Sequence, residues 1–393
     1  MKKHLISAIA LTMGLTTAVF AENTPTLNWA HTYQGLTSAG NSPISWIKLS
    51  DGNYLYSDEW GSKTSDLNFY FDNVETDKTG GGYEGTSYCA NLLLQKYNAD
   101  GDTIWSVHSN YGYIYSNNTT VVASPEGGFV VVAMARGVVS DPNYTTSKLM
   151  DFVQADGSIY SATCADDAPL VSGNNFSDDR ILVVKFSNEG MVEWHSIIYG
   201  EVKTIDTRTT ATNHYPYSAD VDDDGNIYIC GNFRTKLYIP NANGTVTTLT
   251  CTNTDSWNGD SQNVVGEMYL LKLNNQGKYV ASLQGVGDPT FSCLDNVKYY
   301  KGNIYLNGRA TSSNTLTLDN NTINADATYQ TMFLTSINAD NLSVNYVNTL
   351  TSVKNSASRF VIQNKNAQAL NGKIYFTGCL TPRSAYTAYT GRL

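Results

Sequence analysis

The sequence predicts an all-β chain made of repeated hairpins, and three observations carry that prediction. An apolar strand, a polar turn containing Gly and a second apolar strand recur along the chain, most clearly as Tyr217–Gly231 around Gly225. A second strand–turn–strand motif alternates with the first. No stretch holds apolar residues at i, i+3, i+4 and i+7 for long enough to form a major helix.

The first motif returns as Ser45–Tyr56, Val121–Val132, Asn296–Leu306 and Ala367–Phe376. Its turn glycines, Gly52, Gly127, Gly225, Gly302 and Gly372, are spaced by 75, 98, 77 and 70 residues. Gly is expected there because a two-residue hairpin loop needs positive φ. The second motif runs Asn91–Trp105, Ile181–Trp194 and Met268–Val280. Lys96 to Gly101, Lys185 to Gly190 and Lys272 to Gly277 are each five residues apart, and Trp105 and Trp194 each follow their Gly by four. A fourth copy, Thr331–Val344, lacks both the Lys and the Gly. Two hairpins make four strands per repeat, the pattern of a β-propeller blade. The intervening regions, Asp58–Tyr88, Gly137–Asp178, Glu201–His214 and Pro240–Gly266, are rich in Asn, Thr, Gly and Asp and read as loops.

The chain ends set the expected count. The fifth repeat has a first hairpin (Arg359–Phe376) and then Thr387–Leu393, and stops short of its Trp strand. The missing piece stands at the other end as Leu27–Gly35, which resembles Ile104–Tyr111 and Val192–Gly200. The expectation is a single five-bladed β-propeller over 22–393, its ring closed by the N-terminal strand pairing near Ala385–Arg392.

The two motifs together resemble the secreted bacterial β-propeller repeat (SBBP-type) family. Asp223–Gly231 with Met268–Gly277, and Asp51–Tyr54 with Leu92–Trp105, match its pattern best. The resemblance implies a propeller in an extracytoplasmic setting. That family is defined by architecture, so it supplies no shared catalytic residues.

Composition agrees with export. Among 393 residues 41% are hydrophobic, only 15% are charged, and Tyr (27) and Gly (31) are abundant. Residues 1–21 read as a signal peptide: Lys2 and Lys3, an apolar run Leu5–Phe20, and Val19-Phe20-Ala21 before Glu22. The formal net charge of -10 becomes -12 once Lys2 and Lys3 are removed. Such an acidic surface argues against nucleic acid and against anionic membranes as partners. No later stretch reaches the roughly 20 apolar residues that span a bilayer, so no membrane insertion is expected. The expected location is the periplasm, the cell surface or the medium of a bacterium.

The chemistry-bearing residues read mostly as structure. The six cysteines (Cys89, Cys164, Cys230, Cys251, Cys293, Cys379) are scattered and show no CxxC spacing. Cys230 and Cys379 read as buried thiols, and Cys164 and Cys251 lie in insertions where they could pair. Asp220, Asp222, Asp223 and Asp224 suggest a calcium loop, but the chain turns at once into Ile227-Tyr228-Ile229 without the 12-residue ligand spread. No metal site and no cofactor are therefore expected. Trp29, Trp105 and Trp194 recur at one repeat position and read as packing, whereas Trp46, Trp60 and Trp257 are freer to function. His31, His108 and His195 follow the repeat Trp on the outer strand, His214 stands apart, and none converges on a metal.

The function expected is a non-catalytic, monomeric binding or scaffold module for a protein or a glycan. Its contact residues would come from loops such as Asn110–Asn118 with Tyr111, Tyr113 and Tyr115. The alternative is a five-bladed glycoside hydrolase, for which Asp51, Asp58 and Glu59, or Asp220 opposite Asp295, are the candidate carboxylates. Most other acids fall in turns or insertions, so no catalytic residue is assigned.

Overall fold

The structure is a computed structural model. It describes residues 33–35, 42–60, 67–71, 74–80, 91–137, 147–166, 168–170, 178–205, 208–211, 214–252, 267–287, 293–310, 315–324, 331–351, 359–361, 367–370, 373–376 and 379–381. Every regular element among them is a β-strand and every pairing is antiparallel. No helix among the described residues is long and apolar enough to cross a membrane.

Four units follow one plan, and each is a four-stranded antiparallel meander. Unit one comprises Ser42–Lys48, Tyr54–Trp60, Asn91–Tyr97 and Thr103–Tyr111; unit two, Tyr113–Ala123, Phe129–Arg136, Asp179–Phe186 and Val192–Gly200. Unit three comprises His214–Val221, Ile227–Phe233, Glu267–Leu273 and Tyr279–Gly287; unit four, Cys293–Tyr300, Asn303–Ala310, Thr331–Asn338 and Val344–Thr351. The first strands of the four units are neighbours in series, and the strand Ala367–Leu370 lies beside the first strand of unit four. Three apolar cores fill the spaces between consecutive units. Leu94 and Val107 meet Val131 and Phe186, Val132 and Ile181 meet Ile229 and Leu271, and Leu270 meets Leu306 and Phe333. The central strands are buried on both faces, which explains their unbroken apolar runs.

The turns correct one expectation. Gly52, Gly127 and Gly225 each close a three-residue loop, because the amides of Leu49, Ser124 and Asp222 reach the carbonyls of Asn53, Gly128 and Asn226. This is a type I turn completed by a left-handed residue, and the glycine φ values of 87°, 103° and 80° supply it. Among the four turn glycines described, Gly302 sits in the expected two-residue loop: Tyr300 pairs with Asn303, and Lys301 (φ 49°) and Gly302 (φ 76°) are both left-handed. Where the fourth copy of the second motif lacks its Gly, the loop gains a residue and Leu342 takes the left-handed conformation at φ 57°. Gly372 lies outside the described residues.

The regions read as loops contain further hairpins, and these enlarge the sheets beyond four strands. Lys148–Val153 with Ile159–Thr163 leaves unit two between its second and third strands and pairs with the fourth strand of unit one. Lys236–Pro240 with Val246–Thr250 leaves unit three and pairs with unit two, and Thr315–Leu318 with Asn321–Asn324 leaves unit four and pairs with unit three. Each hairpin is a clasp that adds two strands to the preceding sheet, so the sheets of units one to three have six strands. Unit one sends out the same device: Leu67–Phe71 with Val74–Gly80 pairs with Tyr33–Gly35.

The repeat Lys and Trp residues join neighbouring units. Lys96 Nζ donates to Asn188 O at 2.7 Å and Trp105 Nε1 donates to the same carbonyl at 3.0 Å. Lys272 Nζ donates to Ala339 O at 2.9 Å. The turn glycines of the second motif receive the Trp rings: a Cβ on Gly190 would stand 3.1 Å from Trp105, and one on Gly277 would stand 2.6 Å from Trp194. Trp105 and Trp194 are thus packing residues between units. Trp29, His31, Trp257, the leader 1–21, Leu27–Thr32 and Ala385–Arg392 lie outside the described residues.

Candidate functional site

The first strands share a departure from regularity. In all four units the first strand slips against its partner at the corresponding place: between Pro43 and Ser45, Ile114 and Thr119, Pro216 and Ser218, and Leu294 and Asn296. One extra residue, Ile44, Tyr217 or Asp295, stands out in three of them, and unit two inserts the longer stretch Tyr115–Asn118. A bulge bends the strand and re-aims the extra side chain, and bulges concentrate beside functional sites. Because the first strands adjoin in series, the four bulges fall along one line of neighbouring strands. Asn118 Nδ2 donates to Pro216 O at 3.2 Å, tying the bulge of unit two to that of unit three.

The groups around these bulges are aromatic and cationic. Tyr215 and Tyr217 stack with ring centroids 6.1 Å apart and planes at 17°. Arg136, at the end of the second strand of unit two, lies over the Tyr115 ring at 5.2 Å and is held by both oxygens of Asp179, with Nη2 to Oδ2 at 2.8 Å. Arg234 is the counterpart of Arg136 in unit three, three residues after Gly231 as Arg136 is three after Ala133. The side chains of Tyr111 and Tyr113 lie outside the described residues, so of the three tyrosines expected to make contacts only Tyr115 is placed.

Three of the carboxylates singled out from the sequence, Asp51, Asp220 and Asp222, are each held by contacts of their own. Asp51 accepts from Lys96 Nζ at 2.6 Å and from the Asn53 amide, contacts that outweigh its partial burial and hold its carboxyl below the usual range. Asp220 accepts from Lys298 at 2.9 Å and from the Tyr299 amide at 2.7 Å, and burial nevertheless pushes its carboxyl upward. Asp295 occupies the unit-four bulge and is buried. Asp222 Oδ1 accepts from the amides of Asp224 and Asn226, and Oδ2 accepts from Asn226 Nδ2 and Tyr228 OH, so this side chain organises its own turn. Among the described residues no group of three His, Cys, Asp or Glu could hold a metal ion.

Asp58 differs from the rest. It is fully buried on the second strand of unit one, where units two and three carry Ala133 and Gly231. Its Oδ2 accepts from Tyr56 OH at 2.8 Å while Oδ1 has no hydrogen-bond partner. Burial, reinforced by Glu59, pushes its carboxyl up to about 6. Trp46 covers the adjoining aromatic pair, 5.0 Å from Tyr56 and 5.5 Å from Tyr97, with nearly half its surface exposed. The side chain of Trp60 lies outside the described residues.

No family model matches the chain, and no curated protein matches it. The site is therefore read from its own residues.

Histidines and cysteines serve the framework. His195 Nε2 meets Thr163 O at 3.0 Å, a carbonyl that can only accept, so Nε2 carries the proton and Nδ1 accepts from Tyr160 OH at 2.7 Å. His195, on the fourth strand of unit two, thus has a structural role: it pins the clasp that unit two extends. Cys164, Cys230 and Cys251 are buried. Burial raises the Cys164 thiol to about 11. Cys164 and Cys251 occupy equivalent positions just after the second clasp strand, where their amides donate to Ser147 O and Thr235 O. That equivalence was a visible signal for the clasps: Lys148-Leu149 precedes Thr163-Cys164 much as Lys236-Leu237 precedes Thr250-Cys251, and a bulge after Lys148 absorbs the one-residue difference.

Proposed function

We propose that the chain is an exported, non-catalytic, monomeric β-propeller of five blades, of the SBBP type, which binds a protein or a glycan through its first-strand bulges. The observation that carries the binding reading is the recurrence of the bulge in four successive units. A framework alone has no use for four interrupted ladders, whereas a contact surface gains re-aimed side chains from each. Tyr115, Asn117, Asn118 and Tyr217 are residues that give broad amphipathic contact at small entropic cost. Five-fold closure is supported by two neighbour relations. The strand Ala367–Leu370 continues the series of first strands, and Tyr33–Gly35 meets the clasp of unit one as other fourth strands meet theirs. The setting proposed is the periplasm or the bacterial cell surface, reached through the leader 1–21.

A glycan array probed with the mature chain, together with affinity capture from the producing cell's envelope, tests this reading. Selective retention of a glycan class or one envelope protein supports it; retention of neither, by folded protein, overturns it. The glycosidase alternative rests on Asp58, whose carboxyl at about 6 suits a general acid. Full burial keeps that oxygen from any substrate, and so the binding reading is preferred. Hydrolysis of a polysaccharide that disappears in Asp58→Asn would reverse the order.

A further inference from the structure

Arg136 and Arg234 occupy the same place in two successive units but have different surroundings. In unit two the guanidinium is gripped by both oxygens of Asp179, which stands opposite it in the ladder. Asp179 precedes the repeat lysine Lys185 by six residues. Six residues before Lys272, the same lysine of unit three, the sequence has Gly266. The arginine is kept and its carboxylate is gone.

No other acid takes its place among the described residues. Glu267, next along the chain, pairs in register with Phe233 rather than Arg234. Its carboxylate is consumed by the amide and hydroxyl of Thr252 and by Gln284 Nε2. Arg234 is half-buried, and among the described residues the charged or titratable groups that act on it are the phenols of Tyr215 and Tyr217. Burial lowers its affinity for its proton, as expected of a charge without a counterion. A cation in that condition is a cost to folding unless something outside the chain completes it.

We infer that Arg234, with the stacked pair Tyr215 and Tyr217, forms a binding site for a carboxylate-bearing sugar, that is, a uronic-acid unit of an acidic glycan. The inference rests on the binding reading proposed above and specifies its ligand. A guanidinium presents a planar fork that matches a carboxylate with two parallel hydrogen bonds, as Arg136 does within the chain. Tyr217 is the bulge residue, and the Tyr215–Tyr217 stack offers flat amphipathic surface beside the cation for the apolar face of a sugar ring. An acidic peptide repeats its charge at roughly 3.3 Å per extended residue and calls for several cations. Here one cation stands beside two aromatic rings, which fits one carboxylate on a ring.

Calorimetric titration of the mature chain with tetragalacturonate, with neutral galactotetraose and with a tetraglutamate peptide tests the inference. Tetragalacturonate is expected to bind at least about tenfold more tightly than the neutral sugar, with the difference shrinking in high salt. Arg234→Gln should abolish the preference while leaving the melting temperature unchanged or higher, because an uncompensated charge is removed. Gly266→Asp, which restores the acid found in unit two, should also abolish it. Equal binding of both sugars, or a preference that survives Arg234→Gln, overturns the inference and leaves the glycan reading standing. Binding of tetraglutamate alone, lost in Arg234→Gln, overturns it in favour of a protein ligand. Binding of none of the three overturns it as well.

Discussion

At the scale of the residue, conformation and burial decide more than chemical type. Gly277 has φ 69°, and a Cβ there would press 2.6 Å from the Trp194 ring. Gly277→Ala should therefore cost about 2 kcal/mol or more by equilibrium denaturation, the sum of left-handed strain and a displaced inter-unit contact. A Gly225→Ala variant, whose nearest obstacles are the Asn275 Cβ at 3.1 Å and the carboxyl end of Glu126 at 3.2 Å, should cost less. Asp58 makes a pH prediction with a definite sign. Its carboxyl titrates near 3.8 in the unfolded chain and near 6 in the folded one, so the folded state holds the proton more tightly. Its favourable contribution is complete below about 3.8 and is lost as pH rises through about 6, a change of roughly 3 kcal/mol. Asp58→Asn should flatten the stability profile between pH 4 and 7 and raise the melting temperature at pH 7.5. A profile unchanged by the substitution would show that Asp58 does not titrate there.

At the scale of the element, the hairpins with long central strands were legible in the sequence and the clasps were not. Phe129–Arg136 and Asp179–Phe186 are buried on both faces, so they announce themselves as apolar runs bounded by Gly turns. The clasp strands Ile159–Thr163 and Val246–Thr250 each bury a single residue, Ala162 and Leu249, and leave even Ile159 and Val246 exposed. One buried position in five leaves no period for pattern reading to find. The bulges were equally hidden, because an extra residue such as Tyr217 or Asp295 looks like strand until the partner's register is known. What could be read was the pairing of repeat Trp with repeat Gly, whose constant spacing reflects direct contact across units. The insertion that carries the first clasp is anchored by Arg180, which is almost fully buried. It binds both oxygens of Asp178 and the carbonyls of Ala168 and Pro169, and lies over Tyr199 at 5.2 Å. Arg180→Met leaves Asp178 a buried charge without its cation and should cost about 3–5 kcal/mol in chemical denaturation. A loss under 1 kcal/mol would mean the insertion is held elsewhere.

At the scale of the whole molecule, the clasps impose an order on the units. Each unit reaches back to widen the sheet of its predecessor, so neighbouring units share hydrogen-bonded ladders as well as apolar cores. In a repeat protein, stability divides into unit terms and nearest-neighbour interface terms, and unpaired ends are its weak points. The clasp of unit one reaches back to Tyr33–Gly35, which precedes every strand of the four units. Tyr33–Gly35 stands to that clasp as the fourth strand of unit one stands to the clasp of unit two, and the proposed closure rests on this relation. Ring closure by the N-terminal strand is the central claim, and complementation tests it most directly. A chain lacking residues 22–35 should melt well below the mature protein, and a synthetic peptide of residues 22–35, added in excess, should restore most of the difference. An unchanged melting temperature on deletion, or a loss the peptide does not reverse, would contradict the closure.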